Sequence, residues 1–338
     1  MKISALIPCY NEEKNVEASI LSCLNQSRKF DQIIFVDDFS TDGTPEILAR
    51  YSDRITAIRT PKNTGNKSSA QEFGLKFVTG NIMITTDADT VLDKDFVKEM
   101  ASSFKNRSVV AVAGRVQSIP YNWLTLCRAY DYIIGQRIHK LAQNYINYIF
   151  VMPGAASAFR TESFKKNVTF DHDTITEDLD FTYKLHFKNL QIGYNPQAIS
   201  YTQDPADLKN YINQMRRWFG GGWQNLLKHY NTAPSHPVQA FELSLLYSEG
   251  LIFSVLFFLI PLLNPWFGLW LLVSYLIVGM VFAIWAAIKD RRPALLLAPF
   301  PYIILIFINA YIYLEQFVIE IILKKKNLIW FKPERVDL

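Results

Sequence analysis

The first half of the chain alternates short apolar runs with stretches of helical periodicity. Residues 3–8 are apolar and end on Pro8, which predicts a buried first strand. Val16, Ile20, Leu21 and Leu24 then recur at helical spacing, so residues 15–24 predict a helix. Further strands are predicted over 32–38, 55–59 and 81–86, with helices over 44–50 and 68–78 between them. Residues 109–116 also read as a strand. Residues 121–149 form a long, aromatic, amphipathic stretch that predicts a helix against the sheet or the bilayer surface. Strand alternating with helix at this rhythm predicts an α/β fold, a mostly parallel sheet with helices on both faces. Ligands of such sheets bind outside the carboxyl ends of the strands.

Beyond about position 240 the pattern changes. Three apolar stretches follow in succession, 243–263, 266–288 and 294–323. A bilayer crossing takes about 20 apolar residues, and the middle stretch, which lacks any charge, is long enough to span. The first carries Glu249; the third has Pro299 and Pro301 near its start and Glu315 and Glu320 further along. Acids at membrane depth are costly, which makes these three candidates for function or for helix contacts. Three crossings from a cytoplasmic domain would put Lys324, Lys325 and Lys326 outside, against the positive-inside tendency. Either the third stretch re-enters or one segment lies in the interface. The expected organisation is a cytoplasmic domain over 1–235, a membrane domain over 240–323 and a basic tail over 324–338.

Composition refines this only slightly. The 338 residues carry a formal charge of +4 and no basic stripe, so nucleic acid is not an expected partner. The basic excess flanks apolar segments, at Lys289, Arg291, Arg292 and Lys324 to Lys326. Three cysteines, Cys9, Cys23 and Cys127, have no metal-site or redox spacing and read as buried thiols. The first residues are too short an apolar run for a signal peptide, so the expectation is a cytoplasmic catalytic domain on a multi-pass cell-membrane protein.

Chemistry gathers at the predicted strand ends. Asp87-Ala88-Asp89 follows an apolar strand, and two carboxylates at i and i+2 can address one Mg2+ or Mn2+ together with substrate phosphates. Such an ion would neutralise a departing nucleoside diphosphate. A solvated loop is the plain alternative. Asp38, in Val36-Asp37-Asp38-Phe39-Ser40-Thr41-Asp42-Gly43, can accept from a base or ribose, while Ser40, Thr41 or Asp42 caps the next helix. Lys67 opens a helix where free amides and an ammonium could meet phosphate, or is surface charge. Asp173, Glu177, Asp178 and Asp180 crowd together, so repulsion could lift one pKa toward that of a useful general base; capping of a helix near Asp178 is the bland reading. In Gln214-Met215-Arg216-Arg217-Trp218, Arg217 could hold a diphosphate and Trp218 could stack on a sugar. A basic amphipathic helix at the bilayer surface would look the same.

Taken in this order, these motifs resemble those of the family 2 glycosyltransferases, which have a GT-A fold. The likeness covers about the first 230 residues and is strongest to the membrane-embedded branch: cellulose, chitin, hyaluronan and poly-N-acetylglucosamine synthases and ceramide glucosyltransferase. It implies donor contacts for Tyr10 and Glu12 in Pro8-Cys9-Tyr10-Asn11-Glu12, for Asp38 on the uracil or ribose, and for Lys67 and Asp87. It implies Asp89 as the direct metal ligand and Asp178, in Thr-Glu-Asp, as the catalytic base. Gln214, Arg217 and Trp218 fit the Gln-x-x-Arg-Trp signature beside the diphosphate and acceptor sugar, and 152–160 resembles the acceptor-side segment. The implied reaction is inverting transfer from a UDP-sugar to a growing polysaccharide or other membrane-associated acceptor. The chain opens on its first strand, and three late segments are few for a polysaccharide channel, which keeps single-sugar transfer to a lipid open. Oligomerisation is also left open. A non-catalytic membrane nucleotide sensor would need only the donor-side motifs, and a transporter would put its intramembrane acids to use.

Overall fold

A computed structural model describes residues 1–230 and 237–328. The junction between the predicted domains, 231–236, and the tail beyond 328 lie outside the described residues.

One eight-stranded mixed sheet organises the first 202 residues, in the order β3-β2-β1-β4-β7-β6-β8-β5. Its centre is β1 (Ile3–Cys9), buried along its whole length and flanked in parallel by β2 (Gln32–Asp37) and β4 (Ile82–Thr85). β3 (Thr56–Arg59) continues the parallel run beyond β2. Successive residues of β1 face opposite layers. Ile3, Ala5 and Ile7 pack under α1 (Val16–Leu24), α2 (Thr44–Arg50) and α4 (Phe96–Ser103), whereas Leu6 packs under α3 (Lys67–Leu75) with Ile34 and Met83. That two-sided burial is why the strand reads as a continuous apolar run rather than an alternation. Each fully buried Ile or Leu contributes about 1.5–3 kcal/mol of transfer free energy.

The strand order reverses at β1 and β4, so the crevice opens beyond their carboxyl ends. Other strands deliver chain to the same rim. β7 (Ser157–Arg160) runs antiparallel to β4, so Thr85 faces Ser157 and residues 154–156 arrive beside the loop after β4. β6 (Val109–Ser118) and β8 (Gln191–Thr202) run parallel to each other, and the chain leaving β8 also enters the rim. β5 (Val91–Leu92) closes the far edge against β8.

The stretch predicted as one helix over 121–149 is broken. α5 (Trp123–Ile134) starts from a reciprocal Asn122–Thr125 cap, then widens through a π-turn, Gly135–His139, before α6 (Lys140–Tyr145). The chain turns out at Asn147, whose φ of 58° suits asparagine better than most residues. α7 (Thr161–Asn167) and α8 (Glu177–Phe187) cover one face of the sheet through Phe164, Phe181 and Leu185.

α9 (Leu208–Tyr230) leads to the apolar helices α10 (Pro237–Leu263), α11 (Pro265–Asp290) and α12 (Pro299–Phe317), the last extended by a π-turn to Ile322. Among the described residues, three candidate spans, Leu243–Leu263, Pro265–Asp290 and Pro299–Ile322, are long and apolar enough to cross a membrane. The third begins at Pro299, because residues 293–297 form a short 3-10 turn instead of the first helical turn predicted there. α11 is exposed on all sides over much of its length, whereas α12 is two-faced. Phe300, Ile304, Phe307 and Tyr311 are exposed along one stripe. On the opposite face, Tyr302 and Asn309 bond to Asp131 and Tyr211 of the first domain, and Glu315, one turn beyond Tyr311, pairs with Arg216.

Candidate active site

All ten residues singled out from the sequence line one cleft of about 630 Å3. Tyr10 and Glu12 follow β1, Asp38 follows β2, and Asp87 and Asp89 follow β4; Lys67 begins α3, Asp178 lies in the first turn of α8, and Gln214, Arg217 and Trp218 face in from α9.

The loops after β1 and β2 brace each other. Asn11 takes a left-handed φ of 53°, its amide donates to Ser40 Oγ at 2.9 Å, and its side-chain oxygen accepts from the Thr41 amide at 2.8 Å. Glu12 is buried; its amide donates to Thr44 Oγ1 and its carboxylate accepts from Asn15. The Asp38 carboxylate accepts from Thr60 Oγ1 (2.9 Å), Thr64 Oγ1 (2.8 Å) and the Thr64 amide. It therefore shapes the loop that carries Asn63 and Gly65 into the cleft, a second duty beyond the expected donor contact. Gly65 has a φ of 80°, which a β-carbon would disfavour, and Asn66 caps α3 through the Ser69 amide.

Lys67 links the two sides. Its ammonium pairs with Asp87 and lies 3.2 Å from Glu177 Oε1. A β-carbon on Gly154 would come within 2.6 Å of Lys67 Nζ and within 3.8 Å of Asp178 Oδ2. Lys67, Glu177 and Asp178 thus surround one bare stretch of backbone, and Asp87 and Glu177 meet through a single shared cation. Burial works to lower the Lys67 pKa, but the Asp87 and Glu177 carboxylates outweigh it and raise it.

The acid cluster of 173–180 sorts itself. Asp173 pairs with Lys228 at 2.6 Å, and Asp180 is buried among Lys184, Lys228 and His229, holding α8 to α9. Glu177 pairs with Lys67. Asp178 is the member with no basic side chain at ion-pair distance among the described residues. It accepts from the Leu179 amide at 2.9 Å and from the Gly154 amide at 3.3 Å. Loss of water around it, then repulsion from Glu177, raise its pKa to about 6. Burial matters more here than the crowding expected from the sequence.

Gln214, Arg217 and Trp218 fall at i, i+3 and i+4, so α9 presents all three on its cleft face. Much of its remaining surface packs on α12, α10 and the start of α8. Arg216 makes a two-pronged pair with Glu315 of α12, both contacts 2.7 Å. Gly220 meets Gln316, Gly221 packs against Thr176 so closely that a β-carbon would collide, and Gly222 accepts from Tyr247 Oη. Gln224 donates to Glu320 at 2.8 Å. Glu315 and Glu320 therefore dock α12 onto α9 and line no separate path. Arg128 of α5 lies under the Trp218 ring at 5.3 Å and bonds to Asp204 and Asp131.

Some cleft residues went unrecognised in the sequence. Tyr132, Gln136 and Lys140 also line the cleft, at i, i+4 and i+8, a spacing visible within 121–149. Lys140 is buried, donates to the Val151 carbonyl at 2.8 Å, and has its pKa lowered to about 8 by burial, with Asp178 opposing. Gly154 and Glu177 lay inside quoted motifs without a stated role.

No cluster of three or more His, Cys, Asp or Glu suited to a metal occurs among the described residues. Asp87 and Asp89 still fit a hard divalent cation, because a pair of carboxylate-oxygen donors is what Mg2+ or Mn2+ shares with substrate phosphates.

Comparison with known proteins supplies the context. Residues 4–168 match the family model "Glycosyl transferase family 2". A poly-beta-1,6-N-acetyl-D-glucosamine synthase of Staphylococcus epidermidis is 28% identical over 243 residues, 68% of this chain and 56% of that protein. The same enzyme of Staphylococcus aureus (strain COL) is 26% identical over 276 residues, 77% of this chain and 63% of its own. The chain thus spans about three fifths of the length of these relatives. Among solved structures, a mannosyltransferase from Pyrobaculum calidifontis, in complex with GDP-Man and Mn2+, superimposes over 96% of this chain and 88% of its own. The TM-score is 0.63 at 18% identity, a likeness of fold.

Proposed function

This chain carries a family 2 glycosyltransferase domain, and from that premise we propose that it transfers a sugar from a UDP-sugar to a hydroxyl of a membrane-associated glycan, with inversion at the anomeric carbon. The observation that carries the reading is that Lys67, paired with Asp87, and Asp178 both face Gly154 in one cleft.

In this mechanism the nucleotide lies over the β1 and β2 loops, against Tyr10 and near Asp38. Lys67 and Arg217 receive the diphosphate oxygens, Lys67 leaving Asp87 as they arrive. Asp87 and Asp89 would hold a divalent cation, which supplies charge neutralisation to the leaving group when bound. Asp178 accepts the proton of the acceptor hydroxyl while that oxygen forms its bond to the anomeric carbon and the bond to the diphosphate breaks. Attack from the side opposite the leaving group inverts the centre. Gln214 and Trp218 bound the acceptor side, the indole offering a flat apolar face to a sugar ring.

The names of the staphylococcal relatives favour N-acetylglucosamine as the sugar and a growing polysaccharide as the acceptor. Single-sugar transfer to a lipid is the second reading, favoured by α12: it brings the Trp218 wall against an apolar helix, where a lipid-borne hydroxyl would arrive. In the corresponding topology α10 and α11 cross the membrane and α12 lies along the catalytic domain at the interface. That arrangement keeps residues 1–230 and Lys324 to Lys326 on one side and agrees with the positive-inside tendency.

The test is to incubate the full chain in native membranes with a panel of nucleotide sugars and Mg2+ or Mn2+, then size the product. UDP release with a ladder of β-linked products supports polymerisation, and one added sugar supports the lipid reading. No nucleotide release from any donor would overturn both.

A further inference from the structure

Behind the part of the cleft wall that carries Trp218, one guanidinium is shared by three aromatic rings. Arg128 of α5 is buried. Its guanidinium carbon lies 5.0 Å from the centre of the Tyr132 ring, 5.3 Å from that of Trp218 and 5.6 Å from that of Tyr211. Two carboxylates hold its edges: Nε donates to Asp204 Oδ1 at 3.2 Å, and Nη1 to Asp131 Oδ2 at 2.6 Å. Both partners are themselves tied. Asp131 Oδ1 accepts from Tyr302 Oη of α12 at 2.9 Å, and the Asp204 carbonyl accepts from Tyr121 Oη at 2.9 Å. The guanidinium thus joins α5, the chain leaving β8, and α9.

The three rings differ in what they face. Tyr211 is fully buried and donates to Asn309 of α12 at 2.8 Å, so its contact with Arg128 is one of packing. Tyr132 and Trp218 are partly exposed, and both line the cleft. They come from different helices, yet both rest on the same planar cation. A guanidinium plane stacked on an aromatic ring fixes the tilt of that ring, which a compact ammonium does not. Rings fixed in advance lose little further freedom when a ligand arrives. A pyranose matches such a surface: its C–H hydrogens form an apolar face, while its hydroxyls point outward to polar groups. Aromatic side chains with placed polar neighbours are what such a ligand requires.

We propose that Tyr132 joins Trp218 as an aromatic contact of one acceptor-sugar subsite, and that Arg128 is the positioning residue that sets the tilt of both rings. The inference rests on the transfer reading above and adds two residues to it, one touching the sugar and one acting through its neighbours.

The experiment titrates the full chain in detergent with a tetrasaccharide of β-1,6-linked N-acetylglucosamine by calorimetry, with UDP and Mg2+ present. Acceptor and donor KM are then measured with the same tetrasaccharide and UDP-N-acetylglucosamine. Tyr132→Leu leaves both ion pairs of Arg128 in place and should weaken tetrasaccharide binding and raise acceptor KM about 3–10-fold, with donor KM unmoved. Arg128→Lys keeps a charge beside Asp204 but removes the plane behind the rings, and should raise acceptor KM by a similar factor, again with donor KM unmoved. A lower melting temperature and kcat with acceptor KM at the wild-type value would make Arg128 a structural staple and overturn the subsite. So would a wild type that releases UDP yet binds no tetrasaccharide, or variants in which donor and acceptor KM rise together. In those cases UDP release by wild type leaves the transfer reading standing, whereas no release from any donor overturns both.

Discussion

The two walls of the cleft are made differently. The donor wall consists of loops after β1, β2 and β4, rooted in strands buried on both faces and tied by short hydrogen bonds such as Thr64 to Asp38. The opposite wall is α8 and α9, whose positions depend on Asp180 with Lys228 and on the contacts of α9 with α12. One wall is rooted in the sheet and touches the other through Lys67 and Glu177; the other borrows much of its support from an apolar helix. Damage to the first should therefore change nucleotide binding, and damage to the second should change transfer while the nucleotide still binds.

The strongest test of that division is Asp178→Asn, expected to lower kcat by roughly 10²–10⁴-fold, the usual contribution of a general base, with UDP affinity unchanged by calorimetry. Turnover like wild type would remove Asp178 from the mechanism. Next in size is acidity. Asp178 accepts a proton only when ionised and its pKa is raised to about 6, so kcat should be level above that pH. Below it, kcat should fall about tenfold per pH unit, and a single-turnover pH profile would expose the limb. Gly221→Ala, which drives a methyl into Thr176, should cost about 1–3 kcal/mol of stability by thermal unfolding and slow transfer more than it weakens UDP binding. Smallest is Glu315→Gln. It breaks a partly exposed pair expected to contribute about 0.5–1 kcal/mol, so acceptor KM should rise modestly with donor KM unmoved. A change confined to donor KM would contradict the division of the walls.

Much of the donor wall was legible because its residues follow clean apolar strands, where the position of a polar residue in sequence fixes its position in space. The ends of β1, β2 and β4 are cases in point. β8 was not legible: Gly193, Asn195 and Pro196 interrupt its pattern, and its register against β6 shifts between Gly114 and Arg115. The break at Gly135 was hidden for a related reason, since the π-turn keeps the amphipathic stripe nearly continuous. α11 and α12 are alike in apolar length, but α12 combines an exposed apolar stripe with Tyr302, Asn309 and Glu315, whose partners lie far earlier in the chain and could not be read from its own pattern. The dependence of Asp178 on Lys67 and Gly154 is likewise a matter of residues about 110 and 24 positions away.

The run Gly220-Gly221-Gly222 lets α9 touch α8, α10 and α12 almost without spacing. Contacts of that tightness transmit displacement instead of absorbing it. With the apolar helices in a bilayer, as proposed, thickness and lateral pressure should therefore reach the indole at 218 mechanically. Turnover measured in membranes of different acyl length would then vary even where the sugar donor is saturating.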